Sequence, residues 1–224
     1  RRQPNHFTTP FGDGENDLKA EGNKRYRLVW AKLCHWPNRA AIVRELEGLE
    51  DQISVNMVEH APHGKNLGWE YVYNENNIDP VLGDQFLSEA YYRADDDYQG
   101  RTTVPALSDT TTGKVVNNDY NWLTTYFEVN FRPWHKKGAP ELYPVELREE
   151  IERGLSALSP EHREVLILRE IHQLRYDEIA DSLSLDVGTV KSRISRARKQ
   201  LRNFLLKSGN FSPLPASKGT EKEG

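Results

Sequence analysis

The 224-residue chain has one cysteine, Cys34, and one methionine. A lone cysteine excludes any disulfide within the chain and suits a reducing compartment. No apolar run approaches the ~18 residues of a membrane span, and the first residues lack the apolar core of a secretory signal. These absences predict a soluble, cytoplasmic protein with no membrane partner. The first residue is Arg1 rather than methionine, as in a fragment. Only His60 and His63 lie close together among the histidines, with no cysteine beside them, so no metal site is expected. Asp95-Asp96-Asp97 lacks the later ligands of a calcium loop. Acids are missing from one long stretch: seven Lys or Arg and no Asp or Glu lie between Gly188 and Lys207.

What is present supports a core. Hydrophobic residues make up 37%, with five Trp and ten Tyr, enough for one large domain or two small ones. The net charge of −4 conceals an asymmetry. Residues 146–224 hold 14 basic against 13 acidic side chains, and residues 1–145 hold 16 against 21. The first part therefore does not bind nucleic acid by charge alone.

The acid-free stretch has helical periodicity. Val190, Ile194, Ala197, Leu201 and Leu205 share one face, Asp186 caps the start, and the remaining surface is basic. Two shorter helices precede it. Ser159-Pro160-Glu161 joins a hydroxyl cap, a first-position proline and a first-turn acid. Tyr176 to Leu183 repeats apolar residues at i, i+3, i+4 and i+7, and about four residues (Ser184 to Val187) connect it to the basic helix. Helix, short turn and basic second helix is the helix-turn-helix plan, whose second helix enters the major groove.

The residues Leu155 to Glu170, Tyr176-Asp177-Glu178-Ile179-Ala180 and Val187 to Arg193, with Arg196-Ala197-Arg198, resemble region 4 of extracytoplasmic-function bacterial sigma factors. Arg175 departs from the family's usual serine or threonine cap, and Asp186 from its proline. The resemblance implies promoter DNA and core RNA polymerase as partners. Lys191, Ser192, Ser195 and Arg196 match positions that face the −35 element. Arg193, Arg198 and Lys199 match flanking positions that hold phosphates or neighbouring helices.

In the first half, Tyr26 to Ala31 predicts a buried strand running into Cys34, and Ala40, Ala41, Val43, Leu46 and Leu49 predict a helix. Ile53 to Val58 alternates as a second strand, a parallel opening. At a strand–helix junction, backbone N–H groups and the helix dipole favour a thiolate, and nearby Arg39 is expected to add positive charge. Val81 to Tyr92 predicts another helix. Val104-Pro105 before a strand suggests a cis bond. Thr112-Gly113 marks a turn, and Asn118 or Asp119 a cap for the helix carrying Leu123, Tyr126 and Phe127.

This is the thioredoxin-like order. Together with Phe7 to Gly12, Arg25 to Leu28, Cys34-x-Trp36 with Arg39, Gly48-Leu49-Glu50, Gly68-Trp69, Gly100 to Pro105 and Val116 to Asp119, it resembles the N-terminal domain of glutathione transferases of the glutathionyl-hydroquinone reductase type. The resemblance implies that Cys34 attacks a glutathionyl thioether. Glutathione, the implied co-substrate, would lie against Trp69 and the backbone at Val104 and Pro105, with Asp119 taking its ammonium group. His35, Pro37-Asn38 and Asp119-Tyr120 depart from the family's usual residues.

The expected fold is an α/β thioredoxin-like domain followed by a small all-α helix-turn-helix bundle. The expected division is an extended arm (1–22), the α/β domain (23–145), the helix-turn-helix domain (146–207) and a disordered tail (208–224). Two functions follow. The first is −35 promoter recognition by the second domain. The alternative is glutathione-dependent thiol transfer or hydroquinone reduction by the first, cut short of its usual helical partner, which leaves enzymatic activity an open expectation.

Overall fold

The structure is a computed structural model that describes residues 3–61, 68–207, 209 and 211. His63 and nearly all of the expected tail lie outside these residues. The chain divides into two compact units, residues 1–143 and 144–224.

The first unit is built on a four-stranded sheet in the order β2-β1-β5-β6, with β1 Tyr26–Trp30, β2 Ile53–Met57, β5 Ala106–Asp109 and β6 Val115–Asn117. β1 pairs parallel with β2 (Leu28 opposite Val55) and antiparallel with β5 (Leu28 opposite Leu107). Helix α1 (His35–Leu46) connects the parallel pair, and α2 (Leu87–Ala94) and α3 (Leu123–Val129) flank the sheet. Strand alternation fills both faces. Tyr26, Leu28 and Leu107 point into a core with Ala40, Leu123 and Phe127, whereas Val29 and Ala106 point into another with Leu87 and Tyr91. A two-stranded ribbon, β3 (Glu59–His60) and β4 (Trp69–Glu70), lies outside the main sheet.

Three local expectations change. Helix α1 begins at His35, because Pro37 falls in its first turn, where a missing N–H costs no helical hydrogen bond. The helix expected from Val81 begins only at Leu87. Asp79 Oδ1 accepts from the N–H of Val81 and of Leu82, both at 2.8 Å, and Gly83 turns the chain at φ +76°. That side-chain-capped turn outcompetes the first helical turns, and Glu89 then starts α2 by accepting from the N–H of Gln85 and Phe86. Residues 3–21 have little regular structure but are anchored, with Phe11 buried and Phe7 packed beside Tyr91.

The second unit comprises α4 (Val145–Ser156), α5 (Pro160–Glu170), α6 (Tyr176–Leu183) and α7 (Val187–Lys207). Ser159 caps α5 by accepting from the N–H of His162. Ser184 ends α6 in the left-handed region (φ 53°), so the turn before α7 is Ser184 to Asp186. Val165, Ile179, Ala180, Val190 and Ile194 form the core between α5, α6 and α7. Gly154 in α4 permits close approach to α7: a Cβ there would stand 2.6 Å from Leu201 Cδ1. Among the described residues, no helix is long and apolar enough to cross a membrane.

Candidate functional site

In the α/β unit, Cys34 is the N-cap of α1, in an extended conformation (φ −108°, ψ 117°), with its N–H donated to Ala31 O at 3.1 Å. The thiol is half-buried and forms no cap hydrogen bond. It opens into a cleft of about 600 Å³ lined also by Trp36, His60, Trp69, Thr103, Val104 and Tyr120. Three of the expected residues, Cys34, Trp69 and Val104, therefore meet at one cavity. Pro105 is buried behind the rim, joined to Val104 by a cis bond. Asp119 lies at the margin, where its Oδ1 accepts from Asn5 Nδ2 at 3.1 Å and from the N–H of Asn121 at 3.0 Å. It therefore caps a turn before α3 rather than the helix itself.

Arg39 does not join this cleft. It lines a separate groove with Ile42, Thr124 and Glu128. Five residues along a helix is a rotation of about 140° from Cys34, which carries the guanidinium round to another face. The expected charge beside the thiol is therefore not supplied by Arg39.

Sequence reasoning missed the groups that hold the cleft's rim. Tyr91 OH donates to Thr103 O at 2.8 Å, and Asn118 Nδ2 reaches both Tyr91 OH and Thr103 Oγ1. Burial pushes the Tyr91 phenol up to about 12, so it stays a donor at neutral pH. Gln3 Nε2 donates to Tyr98 OH at 2.8 Å and its Oε1 accepts from Arg101 N. No sequence pattern joins residues 3, 98 and 101. Trp36 packs edge-on to Tyr120 at 4.4 Å between ring centroids, and His60 stands edge-on to Trp69 at 6.1 Å.

In the helical unit, the 21 residues of α7 bury Val190, Ile194 and Ala197. Lys191, Ser195, Arg196 and Lys199 are exposed. At about 100° per residue, the set 191, 192, 195, 196 and 199 centres opposite the apolar stripe. Ser192 is half-buried, and its hydroxyl donates to Thr189 O at 2.9 Å. Arg193 sits beside the stripe, with Nη2 3.3 Å from Glu161 Oε2, and Arg198 pairs with Glu170. Arg193 thus ties α7 to α5, the neighbouring-helix role, while Lys199 stays on the open face. Asp186 caps α7, accepting from the N–H of Thr189 at 2.8 Å and from its hydroxyl. The Thr189 hydroxyl and N–H hold the Asp186 carboxyl below the usual range.

Comparison with known proteins agrees with both halves. Residues 148–201 match the family model "Sigma-70, region 4". A glutathionyl-hydroquinone reductase, PcpF of Sphingobium chlorophenolicum, is 36% identical over 132 residues, 58% of this chain and 41% of that protein. The ECF RNA polymerase sigma factor SigE of Mycolicibacterium smegmatis is 43% identical over 61 residues, 27% of this chain and 24% of that one. A solved glutathione transferase from Gordonia bronchialis superposes with a TM-score of 0.55 at 31% identity, covering 84% of this chain and 53% of its own. The chain spans about half the length, or less, of these relatives. The fold is thus that of a glutathione transferase-like protein: a thioredoxin-like α/β domain followed by a helical one. The chain is similar to glutathionyl-hydroquinone reductases over much of its length, and residues 148–201 are similar to sigma-70 region 4.

Proposed function

We propose that the α/β unit is a glutathione-dependent thiol transferase acting through Cys34. The observation that carries this reading is that Cys34, at a helix start, shares one cleft with Trp69 and Val104. The cleft assembles residues far apart in sequence, and the glutathione transferase-like similarity extends over more of the chain than the sigma-type match. In the proposed reaction the Cys34 thiolate attacks the sulfur of a glutathionyl thioether on a hydroquinone. A Cys34–glutathione disulfide forms, the carbon–sulfur bond breaks, and the ring carbon takes a proton. A second glutathione thiolate attacks the glutathione sulfur of that disulfide, yielding oxidised glutathione and restoring the Cys34 thiolate. Incubation with a glutathionyl-hydroquinone and glutathione should release hydroquinone and oxidised glutathione in equal amounts, with a glutathione adduct on Cys34 by mass spectrometry. Cys34→Ser should lower the rate at least ~100-fold by removing the nucleophile. Full activity in that variant would sink the assignment.

A second reading rests on a different observation, the exposed cationic face of α7 opposite its apolar stripe. On this reading, Lys191 and Arg196 read −35 promoter DNA and the surrounding cations hold phosphates, with core RNA polymerase as the protein partner. Fluorescence anisotropy with a −35 duplex and a scrambled duplex, across a salt series, tests it. Arg196→Ala should cost ~1–3 kcal/mol of discrimination. Equal loss on both duplexes would instead mark Arg196 as a phosphate contact, and no preference by the unsubstituted chain would end the reading.

A further inference from the structure

A group of side chains away from the cysteine cleft has no part in either function. Glu47 follows the last residue of α1, Glu128 lies in α3, and His135 follows the 3-10 turn Arg132–Trp134. Each offers a ligand atom, and the three atoms lie within 4.8 Å of one another. Glu47 is fully buried, and neither of its carboxylate oxygens accepts a hydrogen bond. His135 Nδ1 stands 2.9 Å from Glu47 Oε2, an ion-pair distance without hydrogen-bond geometry. The other ring nitrogen, Nε2, lies 2.9 Å from Phe127 O. A carbonyl only accepts, so Nε2 carries the proton, and in a neutral ring the Nδ1 lone pair is left aimed at the carboxylate.

That is the arrangement of a metal-ligating histidine: one nitrogen fixed by a backbone carbonyl, the other presented beside carboxylates. Two carboxylates and one imidazole are also a donor set for zinc-class ions. Metal–ligand bonds of about 2.0–2.2 Å place tetrahedral ligand atoms about 3.3–3.6 Å apart, so modest side-chain closure accommodates an ion. Arg132 is the competing charge. Its Nη2 donates to Glu128 Oε1 at 2.8 Å and also meets Glu141, while Glu128 Oε2 accepts only a long contact of 3.4 Å from Leu142 N. One oxygen of Glu128 is therefore committed to Arg132, while the other holds only that long contact beside the Glu47 carboxyl. Lys136 is turned away, its Nζ donating to Glu45 O at 2.9 Å.

We infer that Glu47, Glu128 and His135 form a binding site for one divalent cation of the zinc class, joining the end of α1 to α3 and the turn at residues 132–134. The ion gives the buried Glu47 oxygens the direct contact that neither makes through a hydrogen bond, and its role is structural, outside the Cys34 cleft. The sequence hides this site, because its ligands are separated by 81 and 7 positions and match no ligand motif.

The test is a zinc titration of the whole chain after chelator treatment, with Cys34 alkylated to remove the competing thiol, in competition with a chromogenic chelator. One equivalent should bind, and Glu47→Gln and His135→Gln should each weaken binding at least ~10-fold. Cobalt(II) should give a four- or five-coordinate visible spectrum in the unsubstituted protein, and that signal should be lost in both variants. Absence of stoichiometric binding by the unsubstituted chain would overturn the inference without reference to any variant. So would unchanged affinity in both variants, which would place the ion on other surface histidines.

Discussion

The two units bury different kinds of side chain. In the α/β unit the interior holds Arg27, Arg44, Glu47, Glu70, Asp79, Asp84, Asp109 and Glu128, whereas the only charged side chain buried in the helical unit, among the described residues, is Glu150. The difference follows from how each unit satisfies its backbone. Helices bond their own N–H and C=O groups, so four of them need only an apolar seam. The α/β unit must also hold irregular turns between its strands and helices, and it does so with carboxylates that accept backbone N–H groups. Asp79 takes two such bonds, Arg27 Nε at 2.8 Å and Asn56 Nδ2 at 2.6 Å. Asp109 takes Arg25 through two bonds and the N–H groups of Thr111 and Thr112. Polar burial is the cost of packing irregular turns against a sheet.

The comparison breaks most visibly at Asp79. Asp79→Ala leaves Arg27 buried without its partner and should cost ~3–5 kcal/mol of stability in denaturant unfolding. All five tryptophans lie in the α/β unit, so their fluorescence reports that unit's transition. A cost below about 1 kcal/mol would mean that the buried network is dispensable.

A smaller effect is expected at Asp109. Burial alone would raise its carboxyl, but the Arg25 guanidinium and the two threonine N–H groups outweigh that and hold it below the usual range. A carboxyl depressed in the folded state adds stability that is complete above its unfolded value of ~3.9 and is lost as pH falls through the lower folded value. Asp109→Ala should cost ~2 kcal/mol at neutral pH. It should also flatten the acid limb of stability measured from pH 5 to 2; an unchanged limb would exclude Asp109 as its source.

The smallest effect belongs to the helical unit. Ser159→Ala removes the cap of α5 and should cost ~1 kcal/mol or less, read from helical circular dichroism. If the tryptophan transition shifted by the same amount, the two units would unfold as one and the contrast between them would not extend to stability.

The helical unit was legible in advance because its signals are local. The Ser159 cap, the bounds of α6 and the stripe Val190, Ile194, Ala197 all follow from residues within two turns of each other. In the α/β unit β1 and β2 were legible for the same reason. The start of α2 was not, because Asp79, Gly83 and Glu89 decide it through side-chain hydrogen bonds that periodicity does not register. Arg39 is near Cys34 in sequence but on another face of the helix, which spacing along the chain does not show.

By itself, then, the sequence determined strands β1 and β2 and the helices from α5 to α7, where a lone thiol meets a helix start, and which helix carries an acid-free cationic surface. These are matters of local periodicity, capping and charge. The tertiary structure alone decided that Arg39 lies outside the cleft that Cys34, Trp69 and Val104 share, that Arg193 turns inward to Glu161 while Lys191 and Arg196 stay exposed, and that Glu47, Glu128 and His135 converge. Convergence of that kind depends on how the sheet and helices pack, and packing joins residues that no spacing along the chain connects.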